Sequence, residues 1–295
     1  MLIRLLISCC LAGCLIPSIS FAADETFNSK GVKIRYVTDG KGVPVVLIHG
    51  WMSDSSMWGA DLTGNTKLKS MDGFMAIALD CRGHGKSDKP HDVAQYGTEM
   101  ADDIVRLLDH LKIEKAHLVG YSSGAFIAGN VAARHPQRVL SVIYGGQAPV
   151  IAGQVKPTDF SECELFAKTV EEGKSLGSYL LAIMPAGERK MTETQADSLA
   201  RMLYGRKDVK AFAAAGLTFK DLAVDIEELK KCQAPTLFIH GSKESAHVKN
   251  RVAMVHELLG RGDVRMVEGG NHMTTLMNPQ FGNLVKEFLR DGKVK

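Results

Sequence analysis

The chain has little excess charge of either sign: 36 Lys and Arg face 33 Asp and Glu among 295 residues, a formal net charge of +3. No basic run gathers the cations, so nothing implies a nucleic-acid partner. No apolar stretch reaches the roughly 20 residues that a membrane span needs. The best candidate, residues 5–16, is shorter and runs into Pro17. Six cysteines occur without C-x-x-C spacing and without a histidine cluster beside them, which leaves a zinc site unsupported. With 45% hydrophobic and 23% charged residues, the composition argues against disorder and for one large globular domain or two.

What is present begins with a leader. Arg4 precedes the apolar stretch, and Ser20-Phe21-Ala22 places small residues at positions −3 and −1, the pattern of a secretory signal, residues 1–22, cut after Ala22. The expected destination is the periplasm. A second reading takes Leu11-Ala12-Gly13-Cys14, which resembles the lipobox of bacterial lipoproteins and would put a lipid anchor on Cys14. Against it, Cys14 comes early and the apolar residues 15–21 make a poor tether. Cleavage removes Cys9, Cys10 and Cys14 and leaves Cys81, Cys163 and Cys232, an odd number in a compartment that permits disulfides. Cys163 and Cys232 could pair; the alternative is two buried thiols.

Short, nearly continuous apolar runs at residues 45–48, 74–79, 117–119, 139–144 and 236–239 alternate with helical patterns, as expected of a parallel sheet covered on both faces. Val32, Ile34 and Tyr36 alternate with polar residues and lead into Asp39-Gly40, so an antiparallel strand and a turn should open the fold. Met100, Ile104, Leu107, Leu108 and Leu111 form one helical stripe, with Thr98 placed to cap it. Asn278-Pro279 should start a last helix carrying Phe281, Leu284, Val285, Phe288 and Leu289 on one face. The fold class is α/β, a doubly wound and mostly parallel sheet. Between Tyr144 and Pro235 only helix-like pieces occur, over residues 161–172 and 192–204, and so long a stretch is not a simple loop. The expected organisation is a core of residues 23–148 and 232–295 with a helical cap over residues 149–231.

The chemistry-bearing residues follow the strands. Gly120-Tyr121-Ser122-Ser123-Gly124 lies between a strand and the helical residues 125–135, the order of a nucleophile elbow, in which flanking glycines hold the central serine in a strained, exposed turn. That assigns Ser122 as nucleophile and the backbone N–H of Ser123 as one oxyanion donor. The second donor should be the N–H of Trp51, after His49-Gly50 on the loop beyond the first parallel strand. A serine hydroxyl needs a base, itself oriented by an acid. His272, in Gly269-Gly270-Asn271-His272 beyond residues 264–267, is the expected base. Of the ten histidines, His49, His84 and His240 sit in glycine turns and suit structural hydrogen bonds, while His91, His110, His135, His247 and His256 suit solvated or capping roles. The expected acid is Glu244, after residues 236–239; the alternative is a surface Lys243–Glu244 pair. Met52, Tyr121 and Met273, with Phe160, Phe166, Tyr179, Met184 and Met202 of the cap, are candidates to line an apolar pocket, core packing being the alternative for each.

Taken together, residues 27–289 resemble the α/β-hydrolase superfamily, most closely its capped bacterial esterases and cofactor-free haloperoxidase-like hydrolases. His49-Gly50-Trp51, residues 80–88, the elbow, residues 234–241 and Gly270-Asn271-His272-Met273 carry the resemblance. It departs at Glu244, where Asp is usual, and at Ser123, where Met is common. It argues against epoxide hydrolases and haloalkane dehalogenases, whose nucleophile is an Asp. The implied activity is hydrolysis of a small or medium carboxylic ester or lactone through an acyl-enzyme, with a small-molecule substrate, no cofactor and no metal. An acyltransferase or perhydrolase using the same acyl-enzyme, and a binding protein that has kept the fold without the chemistry, are the alternatives.

Overall fold

Residues 45–48 show how the apolar runs build the sheet. Side chains alternate along a strand, and in β3 (Val43–Ile48) Val45 and Leu47 enter one buried cluster while Val46 and Ile48 enter another on the opposite face. A strand buried on both faces has no polar side to show, so its sequence reads as unbroken apolar. The computed structural model describes residues 23–59, 72–184 and 191–294. The leader, with its cleavage site after Ala22 and with Cys14, lies outside the described residues.

Eight strands form one sheet: β1 (Ala23–Ser29), β2 (Val32–Gly40), β3, β4 (Phe74–Leu79), β5 (Ala116–Tyr121), β6 (Val139–Gly145), β7 (Thr236–Gly241) and β8 (Asp263–Val267), in the order β1-β2-β4-β3-β5-β6-β7-β8. β2 runs antiparallel to both β1 and β4, and β3 to β8 are parallel. The order reverses around β3, with β4 on one side and β5 on the other, and in such sheets the crevice beyond the carboxyl ends at the reversal is where ligands bind. Sequence periodicity identified β2 and missed β1. Residues 23–29 are mostly polar, and an edge strand needs only backbone pairing on one side.

The helices are α1 (Thr98–His110), α2 (Ser123–Arg134), α3 (Ser161–Glu171), α4 (Leu176–Ile183), α5 (Glu193–Tyr204), α6 (Val209–Leu217), α7 (Ile226–Lys231), α8 (Ala246–Leu259), α9 (Thr274–Met277) and α10 (Pro279–Asp291). α1, α2 and α8 cover one face of the sheet, and Phe281, Val285 and Phe288 of α10 cover the other. Thr98 is not the cap expected of it: Gly97 holds that position with φ 62 and no side-chain bond, and Thr98 is the first helical residue. Asn278 does cap α10, accepting from the amide of Gln280 at 2.9 Å. α3 to α7 lie between β6 and β7, and Phe166, Tyr179, Leu180 and Phe212 give them a small core of their own. Thr192 begins α5 through a reciprocal capping box with Gln195. Among the described residues no helix is long and apolar enough to cross a membrane.

Cys81, Cys163 and Cys232 are all free and buried, so the pairing of Cys163 with Cys232 does not form. Cys163 faces the indole side of Gly216, and burial pushes its thiol up to about 12; Cys232 ends α7, where Arg261 binds its carbonyl.

Residues 80–88 prove to be scaffolding. The buried Asp80 carboxylate accepts the amides of Ser55 at 2.8 Å and Lys86 at 2.7 Å and pairs with Arg35 at 3.3 Å. His49 Nε2 accepts the amide of Cys81 at 2.9 Å, which leaves Nδ1 as the protonated nitrogen, donating to the Gly50 carbonyl at 2.8 Å. The His84 ring lies 5.1 Å from that of His49 and 4.8 Å from that of Phe212. Burial lowers the pKa of His49 and pushes that of His84 down to about 3. Below about pH 6.5 an unfolded chain protonates both rings, and the folded chain does not. Their contribution to stability is therefore complete above that pH and is lost as the pH falls through the depressed pKa values, for His84 toward about 3. Replacing His84 by Gln should flatten the fall of stability between roughly pH 6 and 4 by up to one proton, about 1.4 kcal/mol per pH unit. Urea midpoints at stepped pH measure this, and an unchanged slope would remove His84 from the account.

Candidate active site

Two glycines set the geometry at the end of β5. A Cβ on Gly120 would stand 2.2 Å from the carbonyl oxygen of Gly124, and one on Gly124 would stand 2.1 Å from that of Ile48. Only glycine permits both approaches. The turn they allow holds Ser122 at φ 56 and ψ −122, a sparsely populated conformation costing on the order of 1–3 kcal/mol. Ser122 N donates to Gly145 O at 2.8 Å, which fixes the turn to β6.

The strained serine meets the residues expected beside it. Ser122 Oγ lies 2.9 Å from His272 Nε2, and His272 Nδ1 lies 2.7 Å from Glu244 Oε1. With the carboxylate ionised, Nδ1–H donates to it and Nε2 is left to accept from the serine hydroxyl. Glu244 is buried and His272 is partly open, so the acid is shielded while the imidazole faces the cavity. The loops after β7 and β8 are tied together: Ser242 N donates to Val267 O at 2.9 Å and Lys243 N to Gly270 O at 2.8 Å. Asn271 Oδ1 accepts the amides of Met273 at 3.0 Å and Thr274 at 2.9 Å, which shapes the turn that presents His272.

The loop after β3 runs against the same serine. A Cβ on Gly50 would come within 3.1 Å of Ser122 Cβ. The amide of Trp51 donates to no acceptor among the described residues, and that of Ser123 opens α2, where no intrahelical acceptor exists. Trp51, Ser122 and Ser123 line one cavity, and the positive end of α2 lies at Ser123. The Trp51 indole leaves this neighbourhood: Nε1 donates to Phe212 O in α6 at 2.9 Å, and the ring stands edge-on to Phe166 and Phe219.

A cavity of about 640 Å³ opens over these groups. Met52 and Met273 line it, as expected, and so do Phe160 and Tyr179. Tyr121 does not. It is buried, and its hydroxyl donates to the His272 carbonyl at 2.7 Å, so it supports the histidine loop from below; side chains alternate across β5, and Tyr121 points to the face opposite the cavity. Phe166 is sealed in the core of the inserted helices, Met184 lies outside the lining, and Met202 is 74% exposed to solvent. Sequence reasoning missed Gln147, Asp159, Glu162 and Arg251, all of which line the cavity. One signal was available: Arg251 falls in the apolar stripe of α8, among Val248, Val252 and Val255, where a charge needs a reason.

The family model for the alpha/beta hydrolase fold matches residues 43–279. The chain is 27% identical over 267 residues to the 2-(acetamidomethylene)succinate hydrolase of Mesorhizobium japonicum, covering 88% of this chain and 93% of that one. It is 32% identical over 173 residues to the dihydrolipoyllysine-residue acetyltransferase component of the acetoin cleaving system of Cupriavidus necator. That match covers 58% of this chain and 44% of the relative, so the chain spans less than half that relative's length. Among solved structures, a carboxylesterase study of Nitrososphaera gargenis provides a chain that superposes with a TM-score of 0.73 at 22% identity, covering 91% of this chain and 98% of that one.

Replacing Tyr121 by Phe should leave the His272 carbonyl without its donor and lower stability by about 1–2 kcal/mol. Urea denaturation of the two proteins measures it. A difference below about 0.3 kcal/mol would mean that the hydroxyl does not hold the histidine loop.

Proposed function

This chain belongs to the alpha/beta-hydrolase superfamily and is a hydrolase-fold enzyme, and from that premise we propose that it is a serine hydrolase cleaving a small or medium carboxylic ester or lactone. The reading rests on one observation: an unbroken chain of hydrogen bonds from a strained Ser122 through His272 to the buried Glu244. Ser122 Oγ attacks the substrate carbonyl while its proton passes to His272 Nε2. Glu244 holds the ring in the required tautomer and offsets the imidazolium charge. The carbonyl oxygen, now negative, accepts hydrogen bonds from the backbone N–H groups of Trp51 and Ser123. His272 returns the proton to the leaving alcohol, and an acyl-enzyme remains on Ser122. Water then repeats the sequence and releases the acid. The apolar side chains Trp51, Met52, Phe126 and Phe219 in the lining and the cavity volume of about 640 Å³ suit an acyl group of modest size. The leader supports a periplasmic location after cleavage at Ala22.

Ser122→Ala should abolish turnover of p-nitrophenyl esters and labelling by a fluorophosphonate, with the fold kept, because loss of one oxygen on the wall of an existing cavity opens no large new one. Ser123→Ala should cost less than about tenfold in kcat, since its backbone N–H is retained. If the two results were exchanged, the elbow would be misassigned. Glu244→Gln should lower kcat on the order of 10⁴-fold with little change in KM, as expected when the acid partner becomes an amide. A loss of less than about tenfold would place the acid elsewhere. Adding alcohol acceptors to the ester assay distinguishes hydrolysis from acyl transfer, since transfer yields a new ester in place of the acid.

A further inference from the structure

The end of the cavity between α8 and the segment leading into α3 holds a charge that the proposed chemistry does not use. Arg251 is only 7% exposed, and its guanidinium lies 5.5 Å from the ring centre of Phe126 and 5.6 Å from that of Phe160. Nη2 stands 2.9 Å from Asp159 Oδ2, an ion pair without hydrogen-bond geometry, and both Nη1 and Nη2 are buried with no hydrogen-bond partner among the described residues. Asp159 is occupied on other sides too, accepting the amide of Lys156 at 3.1 Å and lying 3.7 Å from His247 Nδ1. An arginine stays charged even here. Desolvating such a pair is costly, and a brace between two helical layers would be served as well by apolar side chains. An unmet donor on a cavity wall is what a ligand oxygen satisfies.

The wall leading to this group is apolar and continuous. The Trp51 and Phe219 rings are 5.9 Å apart, Phe219 and Phe126 are 6.0 Å apart, and Phe126 meets the guanidinium. The row therefore runs from the loop beside Ser122 to Arg251. A molecule lying along it would set an ester carbonyl at the serine, an apolar middle against the rings, and its far end at the cation.

We propose that Arg251 is a substrate-binding residue that recognises an anionic terminus, so that the ester cleaved at Ser122 carries a carboxylate at the far end of its acyl chain. Asp159 orients the guanidinium and leaves one arm of it for the substrate. This rests on the assignment of Ser122 as nucleophile; the recognition itself does not require turnover and can be measured apart from it.

The test compares p-nitrophenyl monoesters of glutarate, adipate and suberate with neutral p-nitrophenyl alkanoates of matched length. For the native enzyme the ratio of kcat/KM, carboxylate ester over neutral ester, should exceed about tenfold at one chain length, and Arg251→Gln should lower that ratio by roughly ten- to a hundredfold. Arg251→Lys should recover part of it. Asp159→Asn, which removes the competing carboxylate and keeps the cation, should raise the ratio, and it decides the matter if the Gln variant does not fold. Quenching of tryptophan fluorescence by free adipate or suberate reports the same site without chemistry, Trp51 being on the cavity wall. Suppose Ser122 takes a fluorophosphonate and neutral esters turn over, but the ratio stays near one or is unmoved by the Arg251 and Asp159 variants. The anion site is then wrong and the hydrolase reading stands. If Ser122 resists the probe and no ester reacts, yet dicarboxylate quenching is lost in Arg251→Gln, the hydrolase reading is wrong and the anion site stands. Absence of quenching in the native protein together with a ratio near one overturns the proposal outright.

Discussion

The carbonyl of Ile48 occupies the space that a side chain on Gly124 would need, 2.1 Å from where its Cβ would be, and the rest of the site follows from that contact. With no side chain there, the first turn of α2 tucks against the end of β3. Ser122 is thereby forced to φ 56, and its hydroxyl is turned out of the sheet. The same approach brings the loop after β3 beside the serine, a Cβ on Gly50 standing 3.1 Å from that of Ser122. The strain at Ser122 and the closeness of that loop thus share one cause. The cost of the strained residue, on the order of 1–3 kcal/mol, is borne by the apolar burial of β3, β5 and α2, which share a core cluster.

Precise chemistry needs its groups held from more than one side, and buried polar contacts supply that grip here. The neutral His49 ring spans from the Gly50 carbonyl to the Cys81 amide, which joins the loop after β3 to the loop after β4. Asp80 binds that second loop through Lys86 and reaches back to Ser55. From the opposite side, the Trp51 indole is fastened to Phe212 of α6. The loop after β3 is therefore tied to both the sheet and the inserted helices.

Much of this was legible in the sequence because the relevant signals are local. Unbroken apolar runs gave β3 to β7, since burial on both faces leaves no alternation to read. The elbow was legible because glycine, serine and the following helix have fixed roles in the turn. His272 and Glu244 were legible by their place after strands. β1 was not, because an edge strand built from Ala23–Ser29 carries almost no hydrophobic pattern. Tyr121 was misread as pocket lining for a related reason: the elbow exposes Ser122, and the alternation of β5 sends its neighbour to the opposite face, beneath His272. Arg251 was missed because contacts across the insertion decide its burial, and Asp159 and Phe160 are some ninety positions away in the chain.

Glu in place of Asp has a further electrostatic consequence. The longer stem reaches the imidazole at 2.7 Å from a loop held close by the Gly241 carbonyl and by β8. Its second oxygen, Oε2, is buried with no partner among the described residues. Here the carboxylate has the ring of His272 as its direct side-chain partner, in surroundings where interactions between charges are screened much less than in water. When the proposed reaction converts that ring to an imidazolium, the new charge forms beside an anion that no other donor among the described residues has partly neutralised. The stabilisation is thereby concentrated on the one state in which the ring is charged, which is where a catalytic acid partner must act.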